Sequence, residues 1–96
     1  MKRWLTRKEV LLVTDIVGST EKAIEPGDLE WRELLETHNA IIRAHVASNK
    51  GHEVRSTGDG FVIRFFDRDQ AEKAARLIEE DVRRLGIHVR TNVDSP

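Results

Sequence analysis

The sequence has no cysteine, two prolines, and only 5% aromatic residues. Without cysteine, disulfides, thiolate chemistry and Cys-ligated zinc are excluded. An excess of either charge is also missing: 16 Lys and Arg stand against 17 Asp and Glu, for a formal net charge of -1. A sequence-independent grip on nucleic acid needs a basic excess, so no nucleic-acid partner is expected. Long hydrophobic runs are absent too. The longest clean run near the N-terminus is Val10 to Val13, ended by Thr14 and Asp15. That is too short for a signal-peptide core or a membrane span, so no membrane partner is expected and the expected location is cytoplasmic.

What remains is a chain of 96 residues, 39% apolar and 34% charged, the balance of one globular domain. Residues 1–8 carry Lys2, Arg3, Arg7 and Lys8 and read as a solvated basic lead-in. The domain is expected over 9–93, with a frayed tail over 94–96.

The unbroken aliphatic run Val10–Val13 predicts a strand buried on both faces. Gly18 and Ser19 end it, Glu21 to Ile24 could start a short helix, and Pro26-Gly27 punctuates the chain. Asp28 reads as the N-cap of a long helix. Its stripe of Leu34, Leu35, His38, Ile41, Ile42 and His45 recurs at helical spacing from Trp31 onward, and Gly51 stops it. Glu53–Thr57 and Phe61–Phe66 then predict two strands joined at Gly58-Asp59-Gly60. Asp67 with Gln70 resembles a capping box for a second helix, marked by Ala71, Ala74, Ala75, Ile78, Val82 and Leu85 and closed by Gly86. Ile87–Val93 alternates as a last strand.

This βαββαβ order predicts an α+β, ferredoxin-like sandwich: a four-stranded antiparallel sheet with both helices on one face. The first and third strands are then central and antiparallel neighbours, as their apolar content requires. Hence the end of the first strand, at Asp15, should lie beside the turn that opens the third, at Asp59. Two close carboxylates repel unless a cation lies between them, and Mg²⁺ is held by one or two carboxylates plus substrate phosphates. Backbone amides in the turn after Asp15 could receive phosphate oxygens. Asp59 as ordinary turn chemistry and Asp15 as a local cap are the competing reading.

The segment Leu12-Val13-Thr14-Asp15-Ile16-Val17-Gly18-Ser19-Thr20 resembles the opening motif of class III nucleotidyl cyclases. Glu53-Val54-Arg55-Ser56-Thr57-Gly58-Asp59-Gly60-Phe61 resembles their second motif, and Trp31 to Asn39 is similar to the segment between them in bacterial members. The resemblance implies roles. Asp15 and Asp59 would bind two metal ions, Mg²⁺ or Mn²⁺, with the Ile16 carbonyl assisting. Val17, Gly18, Ser19 and Thr20 would hold the triphosphate of ATP or GTP. The reaction would yield cyclic nucleotide and pyrophosphate. Partners would be a second copy in a homodimer, or another cyclase chain.

Two departures qualify the resemblance. Arg55 stands where adenylyl cyclases usually carry a base-reading lysine and guanylyl cyclases a glutamate, so base preference is open, and a plain surface-strand arginine is the alternative. The resemblance also stops before the family's transition-state asparagine and arginine, and Asn92 has no matching context. The expectation is therefore a metal and triphosphate half-site with little activity alone; a non-catalytic interaction module is the alternative. His38 and His45 read as packed or boundary histidines, and Arg83, Arg84 and Arg90 as cations complementing a helix C-terminus.

Overall fold

The computed structural model describes residues 9–18 and 28–94. The basic lead-in, the short helix at Glu21 to Ile24, and Ser95 and Pro96 lie outside the described residues. The elements are β1 (Val10–Ile16), α1 (Asp28–Ser48), β2 (His52–Ser56), β3 (Gly60–Phe65), α2 (Arg68–Arg83) and β4 (Val89–Asp94). The sheet order is β2-β3-β1-β4, with every pairing antiparallel. The α+β sandwich expected from the sequence is the fold observed, with β1 and β3 at its centre.

Burial alternates along the central strands. Val10, Leu12, Thr14 and Ile16 of β1 and Phe61, Ile63 and Phe65 of β3 are buried. They join Ile42 and Val46 of α1 and Ala71, Ala74, Ile78 and Val82 of α2 in one core. Each large side chain in it contributes roughly 1.5–3 kcal/mol. Both helices therefore cover one face of the sheet. The opposite face is open, so β1 is not buried on both faces as expected: Leu11 is half-buried and Val13 is 38% exposed. An unbroken aliphatic run does not reveal which of its faces lacks a cover.

The ends of the elements follow local chemistry. Helix α1 takes in Asp28 as its first residue, one place inside the expected cap. Its last turn closes through Gly51 N–H donating to the Val46 carbonyl at 2.8 Å, with Lys50, not Gly51, in the left-handed region at φ 63°. Gly51 is needed for another reason: a Cβ there would meet the Phe65 ring at 2.7 Å. Helix α2 begins as expected, the Asp67 carboxylate accepting from the Asp69 amide at 2.8 Å. The two helices are tied by His45 and Asp81, 2.7 Å apart. Asp94 belongs to β4 and not to a frayed tail, because it still pairs with Leu11.

Candidate functional site

One rim of the sheet brings together Asp15, Ile16 and the Asp59 turn. Asp15 lies opposite Gly60 on one side and Arg90 on the other. The Ile16 amide donates to the Asp59 carbonyl at 3.1 Å, and the Phe61 amide donates to the buried Thr14 hydroxyl at 3.2 Å. These bonds fasten the Asp59 turn onto the end of β1. Gly60 makes the approach possible, since a Cβ there would sit 2.6 Å from the Thr14 carbonyl oxygen. The Asp59 amide turns back to the Thr57 carbonyl. It is thus unavailable for the reciprocal ladder bond, and the Ile16 carbonyl faces the Asp59 turn without that donor.

The side chains around the rim have distinct settings. Asp15 projects on the open face, half exposed, and its carboxylate meets the Arg90 guanidinium at 3.2 Å. Arg90 is thus a strand residue, not part of the helix-end cluster to which its charge first assigns it. A cleft of ≈ 420 Å³ spreads over this face, lined by Val13, Asp15, Gly60, Val62, Arg90 and Asn92. Arg55 pairs with Val62 across β2 and β3. Directly paired residues share a face, so Arg55 is on the same open face, two strands or about 10 Å from β1.

His38 sits behind the turn. It is fully buried, its ring centroid 6.2 Å from that of Phe61. Its Nδ1 lies 2.8 Å from the Asn39 Oδ1, so Nδ1 carries the proton, and Nε2 is an acceptor with no partner among the described residues. Burial pushes its pKa below the usual imidazole value, opposed by the Asn39 hydrogen bond and by the negative charge of Asp59. The sequence reading of His38 as a packed residue holds; its proximity to the Asp59 charge has no signature in sequence spacing.

The turn after Asp15, expected to receive an anion, is partly described. The Val17 amide donates to the His88 carbonyl at 2.9 Å, and Gly18 has φ 72°. An amide held this way reaches a phosphate oxygen only by releasing His88. Ser19 and Thr20 lie outside the described residues. Among the described residues, no group of three or more His, Asp or Glu side chains is placed to hold a metal. The donors present are oxygens: two carboxylates and the Ile16 carbonyl. They suit a hard cation such as Mg²⁺ or Mn²⁺ whose remaining ligands come from water and substrate.

No family model matches the sequence, and no curated protein matches it. Solved structures do. The chain is similar to the adenylyl cyclase CyaB from P. aeruginosa, at TM-score 0.85 and 16% identity, over 92% of this chain and 55% of that one. A bacterial light-regulated adenylyl cyclase aligns at TM-score 0.87 and 13% identity, over 93% and 53%. The guanylate cyclase domain of RhGC from Catenaria anguillulae, solved with GTP, aligns at 0.83 and 16%, over 93% and 56%. The chain therefore has the fold of these cyclase structures and spans about half the length of each. Among the described residues no helix is long and apolar enough to cross a membrane.

Proposed function

We propose that residues 9–93 form the metal and triphosphate half of a nucleotidyl cyclase site, acting on ATP or GTP. The observation that carries this reading is the Ile16 N–H to Asp59 carbonyl bond, which holds the two motif aspartates at one rim of a sheet with a cyclase fold. Asp15, Asp59 and the Ile16 carbonyl would hold Mg²⁺ or Mn²⁺. A divalent cation there supplies activation of the ribose 3′-hydroxyl and neutralisation of phosphate charge.

The chain's own residues account for the rest. Arg90, released from Asp15 when the carboxylate turns to a cation, offers its guanidinium to phosphate oxygens. Gly18, with Ser19 and Thr20 after it, takes the triphosphate by backbone amides. Arg55, on the same open face, meets the base; its planar fork suits a purine's acceptors better than a lysine's point charge does. The open cleft leaves the opposite side of a bound nucleotide uncovered, so a second polypeptide, either another copy or another cyclase chain, completes the site.

The test is incubation of the pure chain with Mn²⁺ and ATP or GTP, with Asp59→Ala alongside. Nucleotide binding is read by thermal shift and cyclic nucleotide by mass spectrometry. The expected result is a metal-dependent stabilisation that Asp59→Ala abolishes, about 2.7 kcal/mol at a hundred-fold excess over Kd, with little product. Stabilisation that persists in Asp59→Ala or without metal refutes the assignment. A second reading, an interaction module without catalysis, is favoured by one observation: among the described residues, β4 pairs on one side alone.

A further inference from the structure

Asp15 and Arg90 are direct partners in the β1–β4 ladder, and the Val17 amide's bond to the His88 carbonyl pins that register. Side chains of directly paired residues leave the sheet on one face, with Cβ atoms about 4.5–5.5 Å apart. The 3.2 Å contact between guanidinium and carboxylate is therefore built into the backbone pairing. Other ion pairs are placed differently. Arg43–Glu53 ties α1 to β2, and His45–Asp81 ties α1 to α2. Arg90–Asp15 joins two strands that a ladder without a break already joins. Its side chains are 68% and 49% exposed, and an exposed pair adds little to stability. What the pair does decide is which charge Asp15 can meet.

The charges at the rim set the consequence. Asp15 and Asp59 each bring a negative charge, and Arg90 brings a positive one. A divalent cation that takes Asp15 leaves Arg90 beside a cation. A polyphosphate that takes Arg90 without a cation is left beside the freed Asp15 carboxylate. Either way like charges become neighbours, and each arrival is weakened. When cation and polyphosphate come together, every charge at the rim gains an opposite neighbour. We propose that Arg90 is a positioning residue which, through Asp15, makes the two enter interdependently: the rim takes a divalent-cation–polyphosphate complex in preference to either component alone. This rests on the reading of Asp15 and Asp59 as metal ligands. Coupling of this kind is reciprocal: the cation raises the affinity for polyphosphate by the factor that polyphosphate raises the affinity for the cation.

The test takes each component by itself, on the full chain. Binding of Mn²⁺ without nucleotide is read from the loss of the free-ion electron paramagnetic resonance signal. Arg90→Gln should bind Mn²⁺ about two- to fivefold more tightly, the range an exposed pair supplies, and the gain should shrink in about 0.5 M salt. Arg90→Lys keeps the charge and should stay near the unmodified chain. Arg76→Gln removes the same charge from an exposed position on α2, across the sheet, and should change nothing. Binding of inorganic tripolyphosphate in the presence of EDTA is read by calorimetry. Asp15→Asn should tighten it, and Asp15→Asn combined with Arg90→Gln should not. Should Arg90→Gln fail to fold by circular dichroism, Asp15→Asn alone carries the test. Equal Mn²⁺ affinity with and without Arg90, lost in Asp59→Ala, overturns the interdependence and leaves the half-site reading standing. Mn²⁺ that binds neither chain, or binds regardless of Asp59→Ala, overturns both. A lowered Tm in Arg90→Gln with weaker Mn²⁺ binding reduces the pair to a brace and also overturns the proposal.

Discussion

Replacing His38 by leucine should leave the protein at least as stable near neutral pH and widen its advantage over the unaltered chain in mild acid. The Nε2 atom is buried without a partner among the described residues, and an unsatisfied buried polar atom costs about 1–3 kcal/mol. The variant loses the Nδ1 bond to Asn39, worth roughly 1 kcal/mol, but Asn39 is half-buried and regains water. The net at neutral pH lies between zero and about 2 kcal/mol of stabilisation. The pH dependence is the sharper quantity. Burial lowers the His38 pKa from its ordinary value of 6.5, against the opposing Asn39 bond and Asp59 charge. As pH falls, the unfolded chain takes up the proton first. The stability held by the neutral ring is thus fully present above 6.5 and is lost as pH falls toward the depressed folded value, at up to about 1.4 kcal/mol per pH unit. Urea unfolding of both proteins from about pH 7.5 to about pH 5 measures this, provided the slopes with denaturant agree. The other histidines are common to both proteins and cancel in the difference. The advantage of His38→Leu should widen steadily below 6.5. Parallel curves would refute the account of His38 as a desolvated, neutral imidazole.

Gly60→Ala places a Cβ 2.6 Å from the Thr14 carbonyl, against backbone that cannot swing aside. A loss of about 1–3 kcal/mol in urea unfolding is expected, together with a loosened Asp59 turn and weaker Mn²⁺-dependent nucleotide binding; unchanged stability would mean the turn is not pressed onto β1. Asp67→Ala removes the carboxylate that accepts from the Asp69 amide and should cost about 1 kcal/mol. Asp67→Ser should restore most of it, and a serine variant no better than alanine would remove the capping explanation.

Much of the architecture is legible in the sequence because it rests on short-range rules. The apolar content of Val10–Val13 and Phe61–Phe66 identifies the central strands, and topology then brings the Asp15 end of one beside the Asp59 turn of the other. Asp67 is recognisable as a cap from its spacing alone. What escapes the sequence depends on partners far along the chain. Arg90 looks like a helix-end cation until the sheet sets it across from Asp15, 75 positions away. Val13 looks buried because nothing in its neighbours says that the helices cover the opposite face. Val17 looks free to bind an anion, yet its amide is taken by the His88 carbonyl of a strand made much later. The close packing that demands glycine at 51 is likewise set by the Phe65 ring, not by the helix it ends.

The earliest of the described strands occupies the middle of the sheet, and this has a bearing on how the chain is born. Among the described residues, β1 pairs with β3 and β4, both later in sequence. At about 5–20 residues per second it emerges from the ribosome several seconds before β3 arrives, and longer before β4. Helix α1 can coil in the meantime, because its bonds are local, but it has no sheet to lie on. The aliphatic run of β1 spends that interval with both edges bare, a stretch on which chaperones or other nascent chains can act. Closing the sheet therefore waits on the arrival of distant strands, and the pace of folding follows the length of chain between them more than any helical preference.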